Sequence, residues 1–354
     1  MRSRLDVIVM AGGGGTRLWP LSRSGTPKPL LPVAGGASPL ERALALAERI
    51  AGKNRVWLVA GRSLADRLRL HVGGRKRVRW IYEPSARNTA AALALANAVV
   101  RRHRGEGWVL CLPADQWIRK PAALARLVRR IVAAGPRDHL ITFGVPAARP
   151  HPGYGYIEPA GRISGELQRV RRFVEKPQRS RALRYIHSGR WVWNSGMFLW
   201  PSATFLIEVR RLQPKLARVV EGMVEGGAQQ KRAAKRGWPR LKSISVDHGI
   251  MARARRVAVA CRDVGWCDLG TWDALGEAMP AASDGSRHLG LYRSIDGGDC
   301  LVYAPQRLTF NVGIRNAGLV VTPDAVLLFD RRQHERVREV VERLRREPAL
   351  RRYR

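Results

Sequence analysis

The chain has 354 residues, 45% hydrophobic and 26% charged, the composition of a globular protein long enough for two domains or one large domain with an appendage. No apolar run reaches the roughly 18–20 residues of a membrane span, and the four cysteines form no CxxC pair, so membrane-spanning, disulfide-scaffold and zinc-ribbon classes are excluded. The formal charge of +36 would suit a polyanion binder, but 55 of the 64 basic residues are arginines scattered along the whole chain, with no dense cluster and no aromatic interleaving, which reads as compositional bias rather than a nucleic-acid surface.

The predicted elements alternate through the first 280 residues. Leu5–Met10 reads as a buried strand running into glycines, and those glycines interrupt what would otherwise begin a secretory segment. No signal peptide is expected, and the cysteines suit reduced thiols in a cytoplasm. Ser38, Pro39 and Glu41 supply an N-cap, a first-turn proline and a capping-box carboxylate for a helix that stops at Gly52. Strands are expected at Arg55–Ala60, Val78–Tyr82, Trp108–Leu112 and His139–Phe143. Helices are expected from Asn88 or Thr89 to about His103 and from Pro121 to about Ala134. Gly222–Arg240 reads as an exposed insertion. This alternation predicts an α/β fold, Rossmann-like, with a mostly parallel sheet.

Beyond about residue 285 the texture changes to short β-type runs separated by turns: CLVYA, LTFNVGI, GLVVT and AVLLF. A last amphipathic helix carries Val337, Val340, Val341 and Leu344 at helical spacing. The expected division is 1–280 and a small β-rich domain at 281–354.

The chemistry-bearing segment follows the first strand: Ala11, Gly12, Gly13, Gly14, Gly15, Thr16 and Arg17, then Pro27-Lys28-Pro29. Glycines let backbone N–H groups approach an anion or a base, and flanking prolines hold a lysine as a fixed point charge. A dinucleotide GxGxxG fails, because Arg17 or Leu18 occupies the third glycine position, and a Walker loop fails for want of Gly-Lys-Ser/Thr. Asp115 closes a strand, where open α/β sheets bind ligands. Asp268 lies between a strand and a short helix, a place where an aspartate most often caps the helix. Lys176 reads equally as a solvated strand-end lysine, and Asn88 as a helix cap.

GGGGTRLWPLSRSGTPKPLLPV resembles the signature loop of the sugar-1-phosphate nucleotidyltransferases. EPSARNTAAALALA, LPADQW, GYGYIEP, FVEKP, WNSGMFLW, SVDHGIM and GWCDLGTW follow in the order seen in the bacterial mannose-1-phosphate guanylyltransferase family, and the resemblance covers nearly the whole chain. It implies transfer of GMP from GTP to mannose-1-phosphate, giving GDP-mannose and pyrophosphate, and a left-handed β-helix-like tail. It also implies Mg²⁺ on Asp115 and Asp268, each as a hard oxygen ligand. Arg17 and Lys28 would take the pyrophosphate charge, and Lys176 would hold the attacking sugar phosphate. Gly155, Glu175 and Asn194 would contact the sugar, while Glu83, Arg87 and Asn88 would lie with the glycine loop at the nucleotide.

Departures from the family's usual pattern include Gly14, the TPKPL segment, Gln116 after Asp115, Ala252 and Cys267. None removes an expected phosphate or metal ligand. They bear on the choice of sugar, so glucose- or heptose-1-phosphate and other nucleotides remain alternatives. A non-catalytic nucleotide-sugar sensor would be expected to lose one of Lys28, Asp115, Lys176 or Asp268, and all four are present. No specific nucleic acid and no membrane is expected as a partner. The tail is expected to join subunits of a homo-oligomer, and the chain ends without the isomerase domain of bifunctional relatives.

Overall fold

The structure, a computed structural model, describes residues 4–12, 16–23, 25–32, 36–72 and 77–354. Strands and helices alternate at first: β1 (Leu5–Ala11), α1 (Pro39–Ala51), β2 (Val56–Gly61), α2 (Arg62–Val72), β3 (Arg79–Glu83), α3 (Asn88–Arg104) and β4 (Trp108–Pro113). A two-residue strand β5 (Trp117–Ile118), then α4 (Pro121–Ala134) and β6 (Leu140–Pro146), come next. The middle holds the hairpin β7 (Gly155–Ser164) and β8 (Leu167–Glu175), α5 (Arg179–His187) and β9 (Val192–Pro201). Four helices follow, α6 (Ser202–Leu212), α7 (Pro214–Glu225), α8 (Gly227–Arg232) and the single turn α9 (Val246–Gly249). The remainder comprises β10 (Val257–Cys261), β11 (Trp266–Cys267), α10 (Trp272–Gly276), β12 (Arg287–Ile295), β13 (Leu301–Val312), β14 (Ala317–Val321), β15 (Val326–Asp330) and α11 (Val337–Arg346).

The capping box is formed: Glu41 Oε2 accepts from Ser38 N at 2.7 Å, and Ser38 Oγ accepts from Glu41 N at 3.3 Å. α1 ends where Gly52 takes φ +89°, a left-handed conformation that stops a helix without a Cβ penalty. α2 has no counterpart among the expected elements. Its apolar stripe is only Ala65, Leu68 and Val72, set among arginines and an aspartate, so the helical period is faint in the sequence.

The chain condenses into two compact units that do not follow chain order. One comprises the residues up to Ala11, Ala43–Ala114 and Ile118–Trp266; the other comprises Gly12–Arg42, Asp115–Trp117 and Cys267–Arg354. The first is built on a nine-stranded sheet ordered β3-β2-β1-β4-β9-β6-β10-β8-β7. Parallel pairing joins β1 to β2 and β4, β2 to β3, and β10 to β6, while β8 and β9 run antiparallel to their neighbours. Seven of the nine strands therefore point one way, as helix-connected crossovers require. The core against this sheet centres on α3, whose alanines from Ala90 to Ala98 let neighbours approach closely. Trp200 stacks on Phe205 at 4.0 Å, and buried Asn97 accepts from Trp200 Nε1 and donates to Ser202 O.

Residues 222–240 are mostly exposed, as expected, but they are not free of the body of the unit. They continue helically beyond α7, and Trp238 is fully buried, its indole N–H donating to Ser85 O at 2.7 Å. One large aromatic was enough to anchor a segment that otherwise reads as Gly, Gln, Lys and Arg.

In the second unit β12, β13 and β14 pair in parallel, and β14 pairs antiparallel with β15. Parallel neighbours joined by only a few residues cannot be hairpins, so the chain coils. Its corners fall at Asp296, Asp299 and Asn316, all at positive φ. The two expected runs CLVYA and LTFNVGI lie mostly in one strand, β13, and β12 pairs along it. α11 buries Val337, Val341 and Leu344 in a cluster that also contains Leu18, Trp19, Leu31, Leu269, Trp272 and Tyr303. Trp19 Nε1 donates to Tyr353 O at 2.8 Å, and Trp272 Nε1 donates to Trp19 O at 2.9 Å. The segment after β1 and the β-coil are thus one packed body.

Candidate functional site

In the second unit Lys28 opens a short turn, with Pro27 and Pro29 on either side, and is only 8% exposed. A buried ammonium needs partners. Its Nζ donates to Asp115 Oδ2 at 2.9 Å and to the Asp268 main-chain oxygen at 2.5 Å. Leu269 takes φ +47°, turning the chain so that Asp268 Oδ1 accepts from Gly270 N at 2.9 Å. A Cβ on Gly270 would lie 2.3 Å from Asp268 Oδ2, which only glycine avoids. Asp268 does not cap the following helix; Thr271 does, its side chain accepting from Ala274 N. Lys28, Asp115 and Asp268 are therefore brought together as expected. Arg17 lies in the turn Thr16–Leu18. Gly13, Gly14 and Gly15 lie outside the described residues, and no neighbour comes within 4 Å of a Cβ placed on Gly12.

Lys28 joins the Asp115 carboxylate to the main chain of Asp268, and the two aspartates supply hard oxygen donors. Among the described residues no group of three or more His, Cys, Asp or Glu side chains is gathered. That suits an ion that completes its shell from phosphate oxygens and water, rather than one caged by protein alone. The residues fit a divalent cation.

In the first unit, Glu83 ends β3, and burial pushes its carboxyl up to about 7. Arg87 donates through Nη2 to Pro239 O at 2.6 Å and through Nε to Trp238 O at 3.3 Å, tying it to the segment after α8. Neither Asn88 nor Thr89 caps α3, contrary to expectation. Asn88 sits at φ +64° with Oδ1 accepting only from Thr89 N, and Thr89 Oγ1 accepts from Val246 N at 2.9 Å. Ala90 N donates to Ile244 O, so the helix start is docked on residues 244–246.

Gly155, Glu175, Lys176 and Asn194 come together at the ends of β7, β8 and β9. Gly155 pairs with Glu175 on one side and Asn194 on the other, and a Cβ there would lie 2.4 Å from Glu175 Oε2. Lys176, at φ +49° although it precedes a proline, projects its ammonium into solvent, 3.7 Å from Glu175 Oε1. Such backbone conformations persist where the surroundings impose them, often at working sites. Burial, then the nearby Asp247 carboxylate, raise Glu175 to about 7, with the Lys176 ammonium opposing.

Four residues here carried no expected role: Tyr154, Trp193, Asp247 and Trp266. Tyr154 meets Trp193 and Trp266 edge-on at 5.0 and 5.3 Å. Glu175 Oε2 and the indole nitrogens of Trp193 and Trp266 are buried with no hydrogen-bond partner among the described residues. Buried polar atoms left unpaired are expected where a ligand completes them. Asp247 accepts from Asn194 Nδ2 at 2.7 Å. It stands in a quoted motif, SVDHGIM, but only the folded chain shows its partner.

Residues 6–285 match the nucleotidyl transferase family and residues 292–344 the MannoseP isomerase/GMP-like beta-helix domain, and the chain belongs to the nucleotidyl transferase family. It is similar to the xanthan biosynthesis protein XanB of Xanthomonas campestris, 36% identical over 343 residues that cover 95% of this chain and 72% of that one. It is also 32% identical to the mannose-1-phosphate guanylyltransferase of Escherichia coli K12, over 97% of this chain and 74% of that one. A crystal structure described as mannose-1-phosphate geranyltransferase from Thermus thermophilus superimposes with a TM-score of 0.88 at 32% identity, covering 98% of this chain and all of that one. Enzymes of this family generally use a divalent metal.

The raised Glu175 carboxyl has a sign that can be checked. The folded chain holds this proton more tightly than the unfolded chain, so the group favours folding below about pH 4.5 and that contribution is lost as pH rises to about 7. Glu175→Gln should therefore gain stability relative to the parent between pH 5 and pH 8, by up to roughly 3 kcal/mol. Urea unfolding at the two pH values measures it, and parallel curves would contradict the shifted carboxyl.

Proposed function

We propose that this chain transfers GMP from GTP to mannose-1-phosphate, releasing pyrophosphate and forming GDP-mannose. The observation that carries this reading is the Lys28 ammonium joined to both the Asp115 carboxylate and the Asp268 main chain. The family and the relatives' names support the substrate class.

In the proposed reaction a phosphate oxygen of mannose-1-phosphate forms a bond to the α-phosphorus of GTP in line with the breaking bond to the β-phosphate. Little covalent work falls to the protein, so catalysis is positioning plus charge stabilisation. Asp115 and Asp268 would hold Mg²⁺, which when bound neutralises triphosphate charge. Among the described residues Lys28 uses two of its three donors, and the third would serve a phosphate oxygen. Arg17 adds charge from the same segment, and Ala11, Gly12, Gly13, Gly14, Gly15 and Thr16 are assigned to nucleotide binding. Glu83, Arg87 and Asn88 serve the guanosine. Lys176 grips the attacking phosphate, while Glu175, Asn194 and Gly155 receive the hexose. We read residues 1–280 as the catalytic domain and 281–354 as the β-coil domain, working in the cytoplasm.

The deciding experiment measures pyrophosphate release with Mg²⁺, the common NTPs and dTTP, and a panel of hexose-1-phosphates. GTP with mannose-1-phosphate should give the highest kcat/KM. Some turnover of glucose-1-phosphate is expected, since one hydroxyl orientation is worth only about 1–3 kcal/mol. A clear preference for UTP or dTTP would sink the guanylyl assignment.

Asp115→Asn and Asp268→Asn should each lower kcat at least ~10²-fold, the scale of losing a main charge stabiliser. Near-parental turnover at saturating Mg²⁺ in either variant removes that residue from the site.

We also infer a homo-oligomer formed through the β-coil. Leu291 lies opposite Leu308 and Ile295 opposite Val312, with Phe310 between, and all five are more than half exposed. A contiguous apolar face of this kind marks an association surface. Light scattering should report more than one copy, and Phe310→Asp should shift it toward monomer; an unchanged mass would exclude this face.

A further inference from the structure

The Asn194 amide is held from several sides. Its Oδ1 accepts from Thr142 Oγ1 at 2.8 Å and from Gly196 N at 3.3 Å, and its Nδ2 donates to Asp247 Oδ1 at 2.7 Å. A backbone N–H can only donate and a carboxylate can only accept, so Gly196 and Asp247 together fix which end of the amide is oxygen. Both oxygen lone pairs are then taken, and one of the two amide hydrogens is taken. One N–H remains.

We propose that Asp247 is a positioning residue of the sugar-phosphate subsite, holding Asn194 so that it offers a hexose one N–H donor and no acceptor. The idea rests on the reading of this cluster as the place where the hexose binds. Glu175 Oε2, buried without a partner, then supplies the acceptor. A hydroxyl presented to the pair must donate to Glu175 and accept from Asn194, which fixes the sense in which that hydroxyl is read.

Asp247 faces a defined set of groups. Glu175 and Lys176 come from the end of β8, Asn194 from β9, and His248 is its neighbour on α9. Withdrawal from water raises the Asp247 carboxyl above its usual range, opposed first by the Asn194 N–H, then by its own backbone N–H, and then by the His248 and Lys176 charges. Thr142, on β6, is fully buried and holds the amide from the other end.

Asp247→Asn removes the obligatory acceptor. An amide at 247 can present its own N–H to Asn194, releasing Asn194 to turn its oxygen outward. The variant should raise the KM for mannose-1-phosphate about tenfold or more, while the KM for GTP stays within about twofold. With a series of monodeoxy mannose-1-phosphates, the parent should lose about tenfold at the position read by this pair, and Asp247→Asn should lose that penalty. Thr142→Val, which loosens the same amide from its other end, should show the same pattern more weakly. Thermal midpoints of both variants establish that they are folded. If Asp247→Asn and Thr142→Val keep the parental KM and the full deoxy penalty while Asn194→Ala raises the KM for mannose-1-phosphate, the role of Asp247 is overturned and the subsite stands. If Asn194→Ala and Glu175→Gln instead raise the KM for GTP alone, the subsite reading falls and this proposal with it.

Discussion

A buried ammonium cannot remain alone, and much of the second unit follows from satisfying Lys28. Its two partners come from residues 87 and 240 positions away along the chain. Each must be delivered by its own turn: Asp115 just beyond β4, and Asp268 where Leu269 bends the backbone into the left-handed region. Breaking such a pair by removing one partner leaves an uncompensated buried charge, which is far more costly than the pair is worth in water. The ammonium also offsets the one carboxylate it touches, that of Asp115.

The cluster at Glu175 follows the opposite logic. Here polar atoms are left without partners among the described residues: a Glu175 carboxylate oxygen and, where Tyr154 packs between Trp193 and Trp266, two indole N–H groups. Burial without pairing is unfavourable, and it shows in the carboxyl raised to about 7. The left-handed backbone at Lys176 belongs to the same constraint, since the strand end must swing the lysine out while keeping Glu175 in. Stability is given up locally where a ligand can restore it.

What the sequence made legible divides along physical lines. Elements governed by local chemistry were readable: the capping box at Ser38 and Glu41, the proline that opens α4, the buried strands β1 and β4, and the valine spacing of α11. α2 was not, because its apolar stripe is too thin to rise above its charges. The segment 222–240 is largely exposed as read, but its anchor, buried Trp238, was not legible among the polar residues around it. Lys28, Asp115, Asp268, Gly155, Glu175, Lys176 and Asn194 were all legible through motif resemblance. Asp247 and the indoles of Trp193 and Trp266 were not, since their importance lies in which hydrogen bonds are made or missing, and that is a property of the folded chain. The expected cap at Asn88 failed for a related reason: the helix start docks on residues 244–246 instead of closing on itself.

The bond from Trp19 to the carbonyl of Tyr353 spans 334 positions of sequence. At about 5–20 residues per second, a ribosome takes roughly 20–70 seconds to travel that far. Through that interval Leu18, Trp19 and Leu31 have emerged, but the surface they bury against does not yet exist. Lys28 waits as well, with Asp268 still unsynthesised. The sheet that carries the Glu175 cluster draws only on residues up to Trp266 and can consolidate earlier. During its own birth the protein therefore passes through a period in which one centre is assembled and the other is an exposed, arginine-bearing strand of apolar residues, the stage at which a chaperone has most to do.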